Sequence, residues 1–118
     1  MRNDKGYRKL IAWQKANLLV HLVYDITTNF PKDELFSLTA QMRRAALSVC
    51  ANIAEGYSRK GSKDRRHFYQ MAIASLTELE FFIDFAYERK FIKRHDYEKV
   101  LEVHTEAARV LNGLSKST

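Results

Sequence analysis

The sequence predicts an all-α protein, an antiparallel up-down four-helix bundle, and three observations lead to this fold class. Only one proline and four glycines stand in its 118 residues, whereas a β-rich fold needs many turns. Apolar residues recur at three- and four-residue spacing along four long segments, which is the period of an amphipathic helix. A few residues separate these segments, so neighbouring helices must run antiparallel. We expect residues 1–118 to form a single domain with one core.

The first helix is predicted over residues 12–28. It ends before Pro31, because the residue that precedes a proline avoids the helical region. The second helix is predicted over residues 37–59, with Ser37 as its N-cap and Gly61 as the stop after its last turn. The apolar stripes of these helices are Trp13, Ala16, Val20, Val23 and Ile26, then Leu38, Met42, Ala45, Val49 and Ile53.

The third helix is predicted over residues 63–90, with Ser62 as its cap and Asp64 in its first turn, where a negative charge is favoured. The fourth is predicted over residues 96–114 and begins at Asp96 as its N-cap. Their apolar stripes are Phe68, Met71, Ala72, Ser75, Leu76, Leu79, Phe82, Ile83 and Ala86, then Tyr97, Val100, Leu101, His104, Ala108 and Leu111.

The first and third helices carry more apolar surface than the core of a bundle uses. Phe81, Phe85 and Tyr87 fall outside the core stripe of the third helix, and Leu18, Leu19 and Leu22 widen the stripe of the first. Surplus apolar surface must be buried somewhere, so self-association is the first explanation. The alternative is that these side chains only cover the edges of the bundle.

The positive charge of the sequence concentrates at one end of the predicted bundle. The net charge of +6 favours an acidic partner, of which nucleic acid is the common one. In an up-down bundle the N-terminus, the joint between the second and third helices, and the C-terminus meet at one end. Ten basic residues against Asp4 and Asp64 give that end +8 and leave −2 for the remainder. Solvated loops and tails are the alternative explanation. The residues predicted to bind RNA or DNA are Arg59, Lys60, Lys63, Arg65, Arg66, Arg8 and Lys9, with Arg2, Lys5 and Lys116 nearby.

The sequence shows neither a membrane span nor an export signal. No stretch approaches the roughly 20 apolar residues of a membrane helix, and no N-terminal apolar run is typical of a signal peptide. Cys50 is the only cysteine; it cannot form an internal disulfide, and we expect a small buried residue. We therefore expect a cytoplasmic protein with no membrane partner.

No group of residues has the spacing of an active site. Glu55, Glu78 and Glu80 lie on adjacent helices, but the Glu-x-x-His element with which bundles hold paired metal ions does not occur. His104 lies on an apolar stripe and is expected in the core, and Cys50 has no histidine partner. We predict no catalytic residue, no metal site, no cofactor and no enzymatic activity.

The segment 43–56, RRAALSVCANIAEG, combines small residues with polar ones. Asn52 follows Ser48 by four residues and Glu55 follows Asn52 by three, so these three share one edge of the helix. We interpret this edge as a polar seam that fixes the register of two helices, and a ligand or nucleic-acid site is the alternative. The predicted seam comprises Gln41, Arg44, Ser48, Asn52, Glu55, Ser75 and Glu78.

Five short motifs, in order and correctly spaced, resemble the four-helix bundle proteins named for the 23S ribosomal RNA intervening sequence. The motifs are an aromatic residue near the start of the first helix (Trp13), FP at 30–31, Q-x-RRAA-x-S at 41–48, NIAEG at 52–56 and SL-x-EL at 75–79. The resemblance covers about residues 10–114 and extends to the related accessory (Avd-like) proteins of diversity-generating retroelements.

The resemblance implies a ring-shaped homo-oligomer, a homopentamer, that is not an enzyme. The partners it implies are further copies of the chain, RNA or DNA and, from the retroelement relatives, a reverse transcriptase or another protein. Two functions follow as expectations. One is nucleic-acid binding through a basic rim, and the other is a protein-interaction scaffold without a nucleic-acid role.

Overall fold

A computed structural model describes residues 6–118, which form four α-helices and contain no β-strand. The helices are α1 (Ile11–Thr27), α2 (Ala40–Ser58), α3 (Ser62–Glu88) and α4 (Arg94–Ser117). A 3-10 turn at Gly6–Lys9 precedes α1, and a π-helical turn at Leu35–Thr39 leads into α2. The predicted all-α class with four helices is confirmed, and each predicted range coincides with its helix to within a few residues.

The predicted caps are wrong, although the helices are right. The helical path into α2 already begins at Leu35, and the Ser37 hydroxyl donates to Glu34 Oε1 at 2.9 Å instead of capping. Gly61 does not follow a last turn but is itself the extended N-cap of α3, with Ser62 inside the helix. Lys93 is the N-cap of α4, and Asp96 lies in its first turn. There its carboxylate still complements the helix dipole.

The α3–α4 joint is closed by a left-handed residue. Lys90 has a φ of 66°, its N–H bonds to the Tyr87 carbonyl, and the Phe91 N–H bonds back to the Ala86 carbonyl. These two bonds satisfy carbonyl groups at the end of α3 in the pattern of a Schellman motif. At the same end of the bundle the ring of Phe30 lies 5.6 Å from that of Phe91, which seals the core beneath both joints.

All four helices contribute to one continuous core. α1 packs against α2 and α4, and α3 packs against α2 and α4, so sequence neighbours are also neighbours in space. The largest side chains with almost no exposure are Leu19, Val23, Met42, Val49, Ile53, Leu79, Ile83, Val100 and Leu111. None of the helices within residues 6–118 is long and apolar enough to cross a membrane.

Two polar contacts show that α4 runs back along α3. His104 is buried, and its Nε2–H donates to the Leu76 carbonyl at 2.6 Å. Further toward the end of α4, Gln70 Nε2 donates to Ser115 Oγ at 2.9 Å. The C-terminal end of α4 therefore lies beside the beginning of α3, as the up-down topology requires. His104 is a core residue, as expected.

The surplus apolar residues divide into two groups. Tyr87 stacks on Tyr97 with ring centroids 3.9 Å apart, and so covers an edge of the bundle. Phe81 and Phe85 remain exposed, at 64% and 40%, on the outer side of α3, and Leu18 is exposed on α1. The prediction that Met71 belongs to the core stripe of the third helix is wrong, because its side chain is 42% exposed. Part of the apolar surface that the sequence placed outside the core is thus uncovered in a single chain.

Candidate nucleic-acid interface

The joint between α2 and α3 is a short, rigid connection of three residues. Arg59 and Gly61 are both extended, with ψ angles of 147° and 145°. The Arg59 N–H bonds to the Gly56 carbonyl at 3.1 Å, and the Arg65 side chain donates its Nε–H to the Arg59 carbonyl. Arg65 therefore stabilises the backbone of the joint, a role that its basic character alone did not predict.

Arg59 is held inside the same joint by three contacts. Its guanidinium lies 4.7 Å from the centroid of the Phe68 ring, where the π-face attracts a cation. One terminal nitrogen is 2.9 Å from Glu55 Oε2 and the other is 3.8 Å from Asp64 Oδ2. Because two carboxylates balance its charge, Arg59 organises the joint and offers little positive potential to a ligand.

Lys60, Lys63 and Arg66 are the free cations of the joint. All three are exposed, and none forms an ion pair within the described chain. Lys60 lies just before the start of α3, and Lys63 and Arg66 lie in its first turns, near the unpaired backbone N–H groups that add positive potential. Of the five joint residues predicted to bind RNA or DNA, these three have exposed side chains without an ion-pair partner in the described chain.

The N-terminal turn lies against the second half of α2. Tyr7 shares a shallow cleft with Cys50 and Ala54, and the Arg8 guanidinium sits 4.7 Å from the Trp13 ring. Arg8, like Arg59, is engaged with an aromatic face of its own chain. Lys9 is exposed.

Three chain segments gather at this end of the bundle: the N-terminal turn, the α2–α3 joint and the end of α4. Lys116 is exposed close to Ser115, whose hydroxyl contacts α3. We call this surface the basic end. Arg2, Asp4 and Lys5, which were assigned to it from the sequence, lie outside the described residues. Its described charged residues are Arg8, Lys9, Arg59, Lys60, Lys63, Arg65, Arg66 and Lys116, against Glu55 and Asp64.

The structure brings three residues of the predicted polar seam together. Ser48 Oγ lies 2.9 Å from Ser75 Oγ across the α2–α3 contact. Asn52 Nδ2 donates to both the carbonyl and the hydroxyl of Ser48, at 2.9 and 3.0 Å. These half-buried groups satisfy one another, which links the two helices at a defined height.

The other predicted seam residues lie elsewhere. Glu55 turns to Arg59 and belongs to the joint. Gln41, Arg44 and Glu78 are exposed on the outer side of α2 and α3. Helical spacing predicted that all of these residues share one edge of the helices. In the structure Ser48 and Asn52 are half-buried at the α2–α3 contact, whereas Gln41, Arg44 and Glu55 of the same helix are exposed.

Two further contacts position α2, and the first of them was not assigned from the sequence. The Arg43 Nε–H donates to the buried Thr27 hydroxyl at 2.9 Å, and its guanidinium covers the Tyr24 ring at 4.5 Å. Gly56 faces Tyr69 so closely that a Cβ there would lie 2.7 Å from the ring. In the sequence, the feature that indicated the Arg43 contact is the hydroxyl of Thr27, because a hydroxyl at a core position needs a hydrogen-bond partner.

Of the residues weighed as catalytic candidates, Cys50 lies partly buried in the bundle and the glutamates lie on its surface. Burial raises the pKa of the Cys50 thiol to about 12, which suppresses the nucleophilic thiolate at neutral pH. Glu55, Glu78 and Glu80 are all exposed. Within residues 6–118 no group of three or more histidine, cysteine or acidic side chains is arranged to hold a metal ion.

Comparison with known proteins gives a family and a fold. The family model described as 23S rRNA-intervening sequence protein matches residues 8–113. A crystal structure of a protein with unknown function from the S23 ribosomal protein family of Bacteroides thetaiotaomicron VPI-5482 superposes with a TM-score of 0.80 at 21% identity, covering 90% of this chain and 99% of that chain. This likeness shows the same fold. No curated protein matches the sequence.

Proposed function

Because the chain belongs to the 23S rRNA-intervening sequence protein family, we propose that it is a cytoplasmic, non-enzymatic homo-oligomer that binds RNA or DNA. The bundles form a ring, a pentamer in the form that the sequence resemblance suggests, and the basic ends of all subunits lie on one rim. The ligand contacts this rim through its phosphates. The chain is related in this proposal to the Avd-like accessory proteins, with a reverse transcriptase as a candidate protein partner.

The observation that carries the proposal is the set of free cations at the basic end. Lys60, Lys63 and Arg66 are exposed and without a counter-charge in the described chain, while Arg59 and Arg65 hold the joint that presents them. A phosphate backbone binds such a surface by releasing its condensed counterions. Binding of this kind is independent of base sequence, in keeping with a surface that offers charge on a rigid support.

The exposed apolar side chains support the assembly. Phe36 is 92% exposed and Leu47 46% exposed on the outer side of the π-helical turn and α2, and Phe81 adds a third large apolar side chain on α3. Large apolar side chains exposed on neighbouring helices mark protein interfaces. Side-by-side packing of bundles would cover it and leave the basic ends free.

The absence of catalysis remains part of the proposal. Two residues with catalytic potential are already engaged: the His104 ring donates to the Leu76 carbonyl inside the core, and burial raises the pKa of Cys50. A histidine fixed in this way has no access to a substrate, and a protonated thiol is a poor nucleophile.

The test is a salt titration of nucleic-acid binding to a triple variant. Lys60→Gln, Lys63→Gln and Arg66→Gln together remove the free cations without touching the contacts of Arg59 and Arg65. We expect fluorescence anisotropy with a labelled RNA hairpin, and with a DNA duplex of equal length, to show weaker binding. The slope of log K against log salt should fall by about 2 for each bound subunit, from about 0.7–0.9 for each lost phosphate contact.

The matched control places the same charge change at the other end of the bundle. Lys32→Gln, Lys93→Gln and Arg94→Gln also remove two lysines and one arginine, all of them exposed, and should leave affinity and slope as in the wild type. Equal loss of affinity in both triple variants would show that the net charge of the protein, and not the position of these cations, determines binding. Wild-type protein with no salt-dependent binding would contradict the nucleic-acid role and favour the interaction scaffold, for which the exposed Phe36 is the supporting observation.

A further inference from the structure

Two neighbouring helices each expose an apolar stripe on the side that faces away from the core. On α3 this stripe, which we call the α3 ridge, consists of Met71, Ala74, Glu78, Phe81 and Phe85. On α2 a shallow depression of about 690 Å³ runs along the outer surface. We call it the α2 groove and define it by Tyr24, Phe36, Ala40, Arg44, Leu47 and Ala51.

The α3 ridge has the spacing of a helix–helix seam. Its residues are separated by steps of three, four, three and four, which is the a and d pattern of a coiled coil. The buried residues Leu76, Leu79 and Ile83 lie on the opposite side of the same helix. α3 therefore has two apolar sides. One is covered by the other helices of its own chain, and the other is exposed and has the residue spacing of a helix–helix seam.

The α2 groove is complementary to such a ridge in shape. Its lining combines the small side chains of Ala40 and Ala51 with the larger ones of Tyr24 and Phe36. Small residues between larger ones let a neighbouring helix approach closely, and phenyl rings projecting from that helix fill the space above them.

The heights of the two stripes along the bundle also agree. The Ser48–Ser75 contact places these two residues at the same height. Because α2 and α3 are antiparallel, Arg44 and Glu78 each lie about one turn from this contact, on the side away from the basic end. A ring that gathers the basic ends on one rim has its axis along the helices. Rotation about that axis leaves heights unchanged, so Glu78 of one copy reaches the height of Arg44 in the next.

The same register brings apolar groups together. One to two turns further from the basic end, Phe81 and Phe85 of the ridge reach the height of Ala40 and Phe36 in the groove. Leu38 of the π-helical turn and Gln41 of α2 line one surface pocket together with Phe81 and Phe85 of α3, which establishes this level within one chain. In the other direction Ala74 reaches the height of Leu47.

The charges on the two surfaces are opposite. Arg44 and Glu78 are both exposed, and neither forms an ion pair within residues 6–118. Glu78 is the charged residue of the ridge and is acidic, whereas Arg43 and Arg44 make the groove basic. Complementary charges at equal height fix orientation and register at an interface.

From shape, height and charge we propose that the α3 ridge of one copy packs into the α2 groove of the next, with Glu78 facing Arg44. This inference rests on the proposed homo-oligomer and specifies its contact. The two surfaces differ, so the contact is head-to-tail, and each copy retains a free groove and a free ridge until a ring closes.

The test mixes two variants, each with one surface disabled. Leu47→Arg places a charge in the groove, and Phe81→Arg places one on the ridge; both positions are exposed, so the bundle itself should still fold, as circular dichroism would show. Each variant alone should have the mass of one chain, 13.8 kDa, by light scattering. An equimolar mixture should form a dimer of one chain of each kind, because one intact groove then meets one intact ridge.

A contact between like surfaces gives a different result. If grooves pair with grooves, or ridges with ridges, one of the two variants alone remains a dimer and the mixture forms no new species, which would overturn the proposal. Wild-type protein that assembles while Phe81→Arg and Leu47→Arg keep its full mass would overturn this inference and leave the homo-oligomer intact. A monomeric wild type would remove both, and nucleic-acid binding would be judged separately by the salt titration.

A charge exchange tests the register independently. Arg44→Glu and Glu78→Arg should each shift the assembly toward lower mass at low micromolar concentration, and the double variant should restore the wild-type mass. Glu80→Arg, the same substitution on the same helix but off the ridge, is the matched control and should leave the mass unchanged. Double-variant protein no larger than the single variants would show that the two side chains do not meet.

Discussion

The inner and outer sides of α3 carry the same kind of side chain at the same spacing, yet their surroundings differ completely. Leu79, on the inner side, is fully buried, whereas Phe81, two residues later, is 64% exposed. Both belong to stripes with three- and four-residue steps. Periodicity therefore identifies a helix and its apolar sides, but it does not tell which side the chain itself will cover.

The difference has a physical origin in the number of helices. A four-helix bundle gives each helix two neighbours and one shared interior, which occupies less than half of the helix circumference. α3 exceeds that limit, because its apolar residues extend over two opposite sides. The inner side supplies the folding free energy of one chain, and the outer side has apolar area left over for contact with another molecule.

The largest expected effect is on the free energy of unfolding, when one apolar side chain on each side of α3 is truncated to alanine. Leu79→Ala removes a fully buried side chain and leaves a cavity, so the free energy of unfolding should fall by about 3 kcal/mol. Phe81→Ala removes an exposed ring and should change the stability of the single chain by less than about 0.5 kcal/mol. Urea denaturation followed by circular dichroism measures both values.

Protein concentration separates folding from assembly in the same measurement. The loss caused by Leu79→Ala should be the same at every concentration, because it lies within one chain. Any loss caused by Phe81→Ala should grow with protein concentration, since assembly stabilises the folded state by mass action. A large, concentration-independent loss for Phe81→Ala would abolish the distinction between the two sides.

A second comparison concerns close packing and uses two glycines. A Cβ at Gly56 would lie 2.7 Å from the ring of Tyr69 and 3.1 Å from the Cβ of Phe68, whereas a Cβ at Gly113 meets nothing within 4 Å. Gly56→Ala gains about 1 kcal/mol of helix propensity but overpacks a contact with buried Tyr69, at a cost of about 1–3 kcal/mol. We expect a net loss of about 1 kcal/mol.

Gly113→Ala is the matched control for this substitution. It lies in α4, where it adds helix propensity without a clash, and should raise the free energy of unfolding by about 0.5 kcal/mol. Thermal denaturation of both variants should therefore show shifts of opposite sign. Equal stabilisation by the two alanines would mean that Tyr69 moves aside without cost and that α2 and α3 are not held at this distance by Gly56.

The fold was accessible from the sequence because its signals are long and repeated. Four amphipathic stripes of a dozen residues or more determine the helices and their antiparallel order, and so the position of the basic end. The caps failed because they depend on single residues: Ser37 and Asp96 have favourable side chains, but backbone geometry placed them inside a helical turn. A shift of one or two residues in the start of a helix decides which side chain caps it, and the apolar pattern does not determine helix ends that closely.

The candidate site was predictable in charge but not in the role of each residue. Arg59 and Lys60 are adjacent and equally basic, yet Arg59 is engaged by Phe68, Glu55 and Asp64 while Lys60 is free. The sequence gives no direct indication of this division, since it depends on where the extended joint directs each side chain. The polar seam shows the same limit, because Ser48 faces α3 while Arg44, one turn away, faces solvent.

The smallest expected effect concerns the boundary between the inner and outer sides, where Ser48 and Ser75 join α2 to α3. Ser48→Ala and Ser75→Ala should each lower the free energy of unfolding by about 1 kcal/mol, because each leaves the other hydroxyl half-buried with one partner fewer. The double variant should lose about 0.5 kcal/mol less than the sum, since the hydroxyl–hydroxyl bond is removed only once. Ser48→Ala also removes the Asn52 Nδ2–Ser48 Oγ bond, but this loss is the same in the single and the double variant, so the cycle isolates the hydroxyl–hydroxyl bond. Additive losses in urea denaturation would mean that water replaces the bond between the two hydroxyls. The Ser48–Ser75 contact would then be as accessible to solvent as the outer side of α3.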